Sequence, residues 1–357
     1  MSSILRWIRR ALLLIVGLVL GLAGLVAFLG KIFSGPNHQG PSSDHFDGKH
    51  FVNLPATQHG GLREFLRWQM HRQQGPWQSR DNPATTTGKP VARVAAGQLR
   101  VTFVNHATVL IQQDGLNILT DPMWSKRASP VSWIGPGRHH PPGIEFDDLP
   151  PIDVVILSHN HYDHMDLPTL RRLQDKHQPR FFVGLGNGAL FVDAGIGPVS
   201  EIDWWGSLPL SNEVTLTGVP AQHFSNRGLF DRDGTLWLGY VIKGPAGVTY
   251  FAGDSGQGPH FAEIRQRLGA PRLALLPIGA SRPEWFMEAV HISPAQALQA
   301  HDLLGARTSL AVHFGTFALG DDGQDEPVQA LDAALAQRPE PRPRFWHLAP
   351  GEARDVP

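Results

Sequence analysis

Residues 152–164 read IDVVILSHNHYDH, and the change of character halfway along decides how the rest of the chain is understood. Ile152 to Leu157 is a short apolar run rich in β-branched residues, the pattern of a strand buried on both faces. His159, His161, Asp163 and His164 follow at once, four metal-ligating groups within six residues. His159 and His161 stand at i and i+2, where extended backbone sends both side chains the same way. Asp163 and His164 then add a carboxylate and a second imidazole as the chain turns. Imidazoles and carboxylates gathered at a strand end are the donors of a hydrated metal site with a position left open for water.

Such a loop predicts distant partners, each at the end of another strand. His223 in VPAQHFS, Asp254 in TYFAGDSG and His313 in SLAVHFGTF all follow apolar runs. We expect His159, His161 and His223 to share one metal ion, Asp163, His164 and His313 a second, with Asp254 bridging the two. The chain contains no cysteine, so thiolate ligands and disulfides are both excluded. Two Zn2+ ions are the expected occupants, and iron or manganese accept the same donors. His291, in EAVHISPAQA ahead of a helix capped by Ser293, is a candidate for contact with substrate, with a structural role equally compatible. His38, His45, His59, His139, His140, His177 and His301 read as surface or packing residues.

With 357 residues, 41% of them hydrophobic, and a net charge of −1, the composition is that of a globular protein. No broad basic field is available for a phosphate backbone, which argues against a nucleic-acid partner.

From Ala11 to Gly30 run twenty uncharged, mostly apolar residues, long enough for a helix to cross a bilayer. Arg6, Arg9 and Arg10 precede the run and Lys31 follows, so the charge rule puts the N-terminus in the cytoplasm and the remainder outside, in the periplasm if the source is bacterial. A cleaved signal peptide is the rival reading, disfavoured by the length of the run and the lack of a small-x-small site. Gly17 and Gly21 form a GxxxG pair, compatible with a homodimer, although chance explains it in so glycine-rich a helix.

The expected organisation is therefore a membrane anchor over 1–32, a Gly/Pro/Ser-rich linker over 33–47, an N-terminal extension over 48–98 and a catalytic domain over 99–350. The extension carries a helical pattern at Leu62–Met70. Within the domain, LRVTFVNHATVLIQQDGLNILTD from Leu99 alternates apolar residues around an Asp114-Gly115 turn, a hairpin signal. Further strands are expected at 181–184, 213–218, 236–243, 247–252, 272–277 and 309–313, and helices at 187–194, 260–268, 294–304 and 327–337. Two sheets sandwiched between helices follow from this mixture.

These motifs resemble the metallo-β-lactamase superfamily, and among its members N-acylphosphatidylethanolamine-hydrolysing phospholipase D and its bacterial relatives. The resemblance rests on NHATVLI (105–111), LTDPMWSKRASP (119–130), LPPIDVVILSHNHYDH (149–164), EIDWW (201–205), AQHF (221–224), FAGDSG (251–256), PIGASRPEWFM (277–287), HISPAQA (291–297) and HFGTFAL (313–319), in order along the chain. It implies an α/β fold, an αββα four-layer sandwich, and zinc ligands at His159, His161, Asp163, His164, His223, Asp254 and His313. It places His291 near the substrate and implies a phospholipid partner, cleaved to phosphatidic acid and an N-acylethanolamine. The sequence departs from the family at Asn105, where relatives have glycine, in the segment FSNRGLFDRDG after His223, and in possessing the apolar N-terminus.

The expected chemistry is phosphodiester hydrolysis with a hydroxide shared by the metals as nucleophile, oriented by Asp254, and with His291 assisting the leaving group. The same fold acting on a lactone or another ester is a second reading, and a non-catalytic metal-binding envelope protein a third. Apolar residues at 123–134 and 285–287 are candidates for an acyl-chain groove, with core packing an equal account of them.

Overall fold

A computed structural model describes residues 2–57, 60–80 and 89–357. The expected four layers are present. Strands β1 (Leu99–Asn105), β2 (Thr108–Gln113), β3 (Leu116–Thr120), β4 (Val154–Ile156), β5 (Arg180–Gly184) and β6 (Val199–Ile202) form one sheet, and β7 (Ser207–Pro209), β8 (Thr215–Val219), β9 (Gly239–Gly244), β10 (Gly247–Phe251), β11 (Leu273–Pro277) and β12 (Thr308–Val312) the other. Each sheet gains a strand from the C-terminal part of the chain, β13 (Phe345–Trp346) beside β12 and β14 (Ala353–Asp355) beside β1, giving the orders β14-β1-β2-β3-β4-β5-β6 and β13-β12-β11-β10-β9-β8-β7. Strand pairing thus continues past residue 350.

The period-two pattern sorts side chains between layers. Ile118, Val154, Ile156, Leu273 and Leu275 point into the core between the sheets. Their neighbours Leu119 and Val155 face outward against helices α3 (Leu167–His177) and α4 (Gly188–Asp193), while Ala274 and Leu276 face α5 (His260–Leu268), α7 (Pro294–Leu304) and α8 (Glu326–Ala336). Tyr240 crosses the central layer, its hydroxyl donating to Leu157 O at 2.9 Å and Phe182 O at 3.1 Å in the opposite sheet. The predicted Asp114-Gly115 turn joins β2 to antiparallel β3, both residues at positive φ (52° and 81°), the left-handed conformation a two-residue hairpin requires.

The sheets share one direction where it matters. β1, β3 and β4 run the same way in the first sheet, and β8, β10, β11 and β12 in the second. Their C-terminal ends lie along one edge of the sandwich, and loops there carry the polar residues.

Ahead of the domain, α1 (Ser2–Phe33) is long and apolar enough to cross a membrane and has none of its apolar window buried against the protein. The stretch expected as a linker lies on the domain: Gly35 N donates to Asp231 Oδ2, Phe46 is buried, and His45 Nε2 meets Asp203 Oδ1 at 2.8 Å. Its Pro and Gly content fits an extended path along a surface. Helix α2 (Leu62–Met70) packs through Trp68, which stacks on Phe286 of the short α6 (Glu284–Met287) and donates to Asp321 Oδ1.

Candidate metal centre

Each candidate ligand follows a strand: His159 comes after β4, His223 after β8, Asp254 after β10 and His313 after β12. The structure brings all seven candidates together. The nitrogens of His159, His161 and His223 form one cluster; Asp163, His164 and His313 form the other. Asp254 stands between them, with Oδ2 at 3.8 Å from His223 Nε2, 4.0 Å from His159 Nε2, 3.2 Å from His164 Nε2 and 3.1 Å from His313 Nε2. His291 is adjacent, its Nδ1 3.9 Å from Asp254 Oδ2.

The outer hydrogen bonds decide which nitrogen of each ring carries a proton. His223 Nδ1 lies 2.9 Å from Val290 O, a carbonyl that only accepts, so the proton sits there and Nε2 keeps its lone pair. His161 Nε2 faces Asn226 Oδ1 at 3.0 Å, leaving Nδ1 unprotonated. The Ser158 hydroxyl donates to Asp121 Oδ2 and so accepts from His159 Nδ1 at 2.9 Å, freeing His159 Nε2. Asp121 Oδ2 also takes the proton of His164 Nδ1 at 2.6 Å, which frees His164 Nε2.

These assignments leave lone pairs aimed at each other. His159 Nε2 and His161 Nδ1 are 2.8 Å apart, and His223 Nε2 is 3.4 Å from His161 Nδ1. Three acceptors so close repel unless a cation sits among them. In the second set, His164 Nε2, His313 Nε2 and Asp254 Oδ1 are buried without a hydrogen-bond partner. Orphaned buried polar atoms of this kind, on imidazoles and carboxylates alone, fit divalent metal.

Electrostatics agree. Burial drives His159 and His223 well below the usual imidazole range and takes His161 to about 4, so the first set is neutral. Burial opposes ionisation of Asp163 and Asp254, yet His164 outweighs it and holds both well below the carboxylate range. Those carboxylates overcome burial in turn at His313, raised to about 9, and at His164, held well above the usual imidazole range. The cavity thus already favours positive charge at the second set.

Two contributors had no role assigned from sequence. His106, in the turn between β1 and β2 with φ of 46°, places Nε2 2.8 Å from Asp163 Oδ2 and groups with the second set. Asp121, after β3, is fully buried and anchors His164 and Ser158. Both lie in motifs quoted above, and the signal was a polar residue ending a buried strand. Of the histidines read as surface or packing, His38, His45, His139, His140, His177 and His301 stay out of the metal groupings among the described residues. His59 lies outside the described residues. The apolar segments divide: Met123 and Met287 are buried, whereas Trp133, Ile134 and Trp285 are exposed.

Residues 116–314 match the family model of the β-lactamase superfamily domain. The chain is 39% identical over 250 residues to N-acyl-phosphatidylethanolamine-hydrolyzing phospholipase D 1 of Caenorhabditis elegans, covering 66% of this chain and 70% of that one. An uncharacterised protein of Mycobacterium tuberculosis is 36% identical over 348 residues, 92% of this chain and 91% of its own. Among solved structures, Igni18, a metallo hydrolase from Ignicoccus hospitalis, superposes with a TM-score of 0.54 at 22% identity, covering 72% of this chain and 98% of that one, a likeness of fold.

Proposed function

The chain belongs to the metallo-β-lactamase superfamily of metallo-hydrolases, and from that premise we propose that it is a membrane-anchored phosphodiesterase of the phospholipase D type, hydrolysing N-acylphosphatidylethanolamine to phosphatidic acid and an N-acylethanolamine. The observation that carries the reading is the pair of converging donor sets joined by one carboxylate, Asp254. His159, His161 and His223 would hold one zinc, Asp163, His164 and His313 the other. Divalent ions held there supply activation of water and neutralisation of charge on phosphoryl oxygens.

The protein's own groups supply the order. Asp254 spans both sets and fixes their separation. Asp121 and Asn226 hold His164 and His161 in the tautomers that ligate. His291, half-buried beside Asp254 and lowered to about 4 by burial, is neutral at physiological pH and would donate its N–H to the leaving alkoxide oxygen. Helix α1 supports a lipid substrate, with Arg6, Arg9 and Arg10 keeping its start cytoplasmic and residues 99–350 forming the catalytic part outside.

The test uses full-length protein in detergent micelles, loaded with zinc and mixed with N-acylphosphatidylethanolamine, with products identified by mass spectrometry and Asp254→Asn as control. Phosphatidic acid together with N-acylethanolamine, absent from the control, supports the proposal. Two bound metals without turnover of this lipid refute it, and a panel of lactones and other phosphodiesters then identifies the bond.

A further inference from the structure

The end of α1 is built into the loop that supports a metal ligand. Ser34, the first residue beyond the helix, receives the backbone N–H of Phe230 on Oγ at 3.1 Å. Gly35 N donates to Asp231 Oδ2 at 2.6 Å. Leu229 lies so close to Gly30 that a Cβ there would come within 2.6 Å of Leu229 Cδ1. Asp231 is buried and also takes the N–H groups of Arg227 at 2.9 Å and Gly228 at 2.8 Å, which closes the loop on itself. Asn226, next in this knot, holds His161.

Within so tight a loop the two side chains at its tip face out: Leu229 and Phe230 are each 57% exposed. They share this with Trp133 (75%), Ile134 (56%) and Val192 (73%). These residues come from three separate segments, and each segment also walls one cavity of about 530 Å³ beside the helix end, through Arg227, Ser129 and Leu190 respectively, together with Phe33 and Tyr162. Large exposed apolar side chains on segments that wall one cavity are the kind of feature that marks a contact surface. Its position selects the partner. Phe230 is bonded to the residue that follows the last apolar turn of α1, so the loop tip sits at the depth where a bilayer's hydrocarbon gives way to head groups, where aromatic side chains are favoured.

We infer that Leu229 and Phe230 enter the interfacial layer of the membrane that α1 crosses, so that the rim of the metal site faces lipid of that same leaflet. The inference rests on the reading of α1 as a membrane helix and is independent of which lipid is cleaved.

Because the chain lacks cysteine, single substitutions give unique labelling sites in the full-length protein. Phe230→Cys keeps the backbone N–H that Ser34 accepts. Leu18→Cys reports on the helix, and Ala96→Cys, before the start of β1 at the opposite end of the sandwich, on the far surface. Each variant carries an environment-sensitive fluorophore and is reconstituted into phosphatidylcholine–phosphatidylglycerol vesicles containing lipids with a doxyl quencher either near the head of the acyl chain or deep within it. The deep quencher should act on position 18, the shallow one on position 230 at least several-fold more than on position 96. Quenching at 18 with position 230 no different from position 96 overturns the inference and leaves α1 in the membrane. Absence of quenching at 18 removes the inference together with the membrane reading beneath it.

Discussion

Replacing Asp121 by asparagine tests how far the metal site depends on a residue that would touch no metal. Asp121 Oδ1 accepts Ser158 N at 2.7 Å, and that position must remain an oxygen. The new amide nitrogen therefore falls where Oδ2 was, 2.6 Å from His164 Nδ1 and 2.6 Å from the Ser158 hydroxyl. A donor there forces His164 Nδ1 to become the acceptor and moves the imidazole proton to Nε2, the atom facing Asp254 and Asp163. The ring keeps its place but loses the lone pair that ligates. Loss of such an outer partner weakens metal binding by about 10- to 100-fold, or about 1.4–2.7 kcal/mol. Competition between metal-stripped protein and a chromophoric chelator at neutral pH reads both affinities. The site of Asp163, His164 and His313 should weaken directly, and that of His159, His161 and His223 with it, because the Ser158 hydroxyl loses the acceptor that kept its proton away from His159 Nδ1. Two affinities unchanged to within about twofold, in a variant with an unaltered urea midpoint, would refute the tautomer argument.

Tyr240→Phe removes the hydroxyl that binds Leu157 O and Phe182 O across the central layer, and should lower unfolding free energy by about 1–3 kcal/mol in a urea titration, because the buried Leu157 O loses this donor while Phe182 O keeps Leu157 N. His45 is pushed down by burial, but Asp203 and Asp44 outweigh this and raise its pKa above 6.5. Its contribution is then complete below the unfolded value and is lost as pH rises through the folded one, so Asp203→Asn should cost stability at pH 6 and little at pH 9 in urea midpoints. Stripping the metals leaves the facing lone pairs of His159, His161 and His223 uncompensated, and the stripped protein should melt at lower temperature than the loaded one by calorimetry, the gap widening with metal concentration.

Much of the metal centre was legible because strand ends are visible as ends of apolar runs. His223, Asp254 and His313 each close such a run, and β8, β10 and β12 deliver them to one edge. The hairpin at Asp114-Gly115 was legible for a local reason, since both residues must adopt positive φ. What sequence concealed was partnership at a distance. His45 has the composition of a loop histidine, and only the fold brings Asp203 to it. His106 and Asp121 stand in recognisable motifs, but a ring that steadies Asp163 and a carboxylate that steadies His164 leave no spacing to count. Strands β6, β7, β13 and β14 are short and borrow their order from neighbours, so periodicity is too brief to mark them. The path of residues 34–47 along the domain depends on single contacts such as Gly35 to Asp231, which no composition reports.

The division of ligands between the two sheets has a consequence in time. A chain emerges from the ribosome N-terminus first, at about 5–20 residues per second. Its apolar helix appears at once, whereas the first donor set is incomplete until His223 has been made and the second until His313. Metal capture is therefore one of the last events in the life of the nascent protein, and it happens after the chain's leading segment has already been committed to its destination. Where metal is withheld during that interval, the two sheets still come together around His and Asp clusters that have yet to receive it.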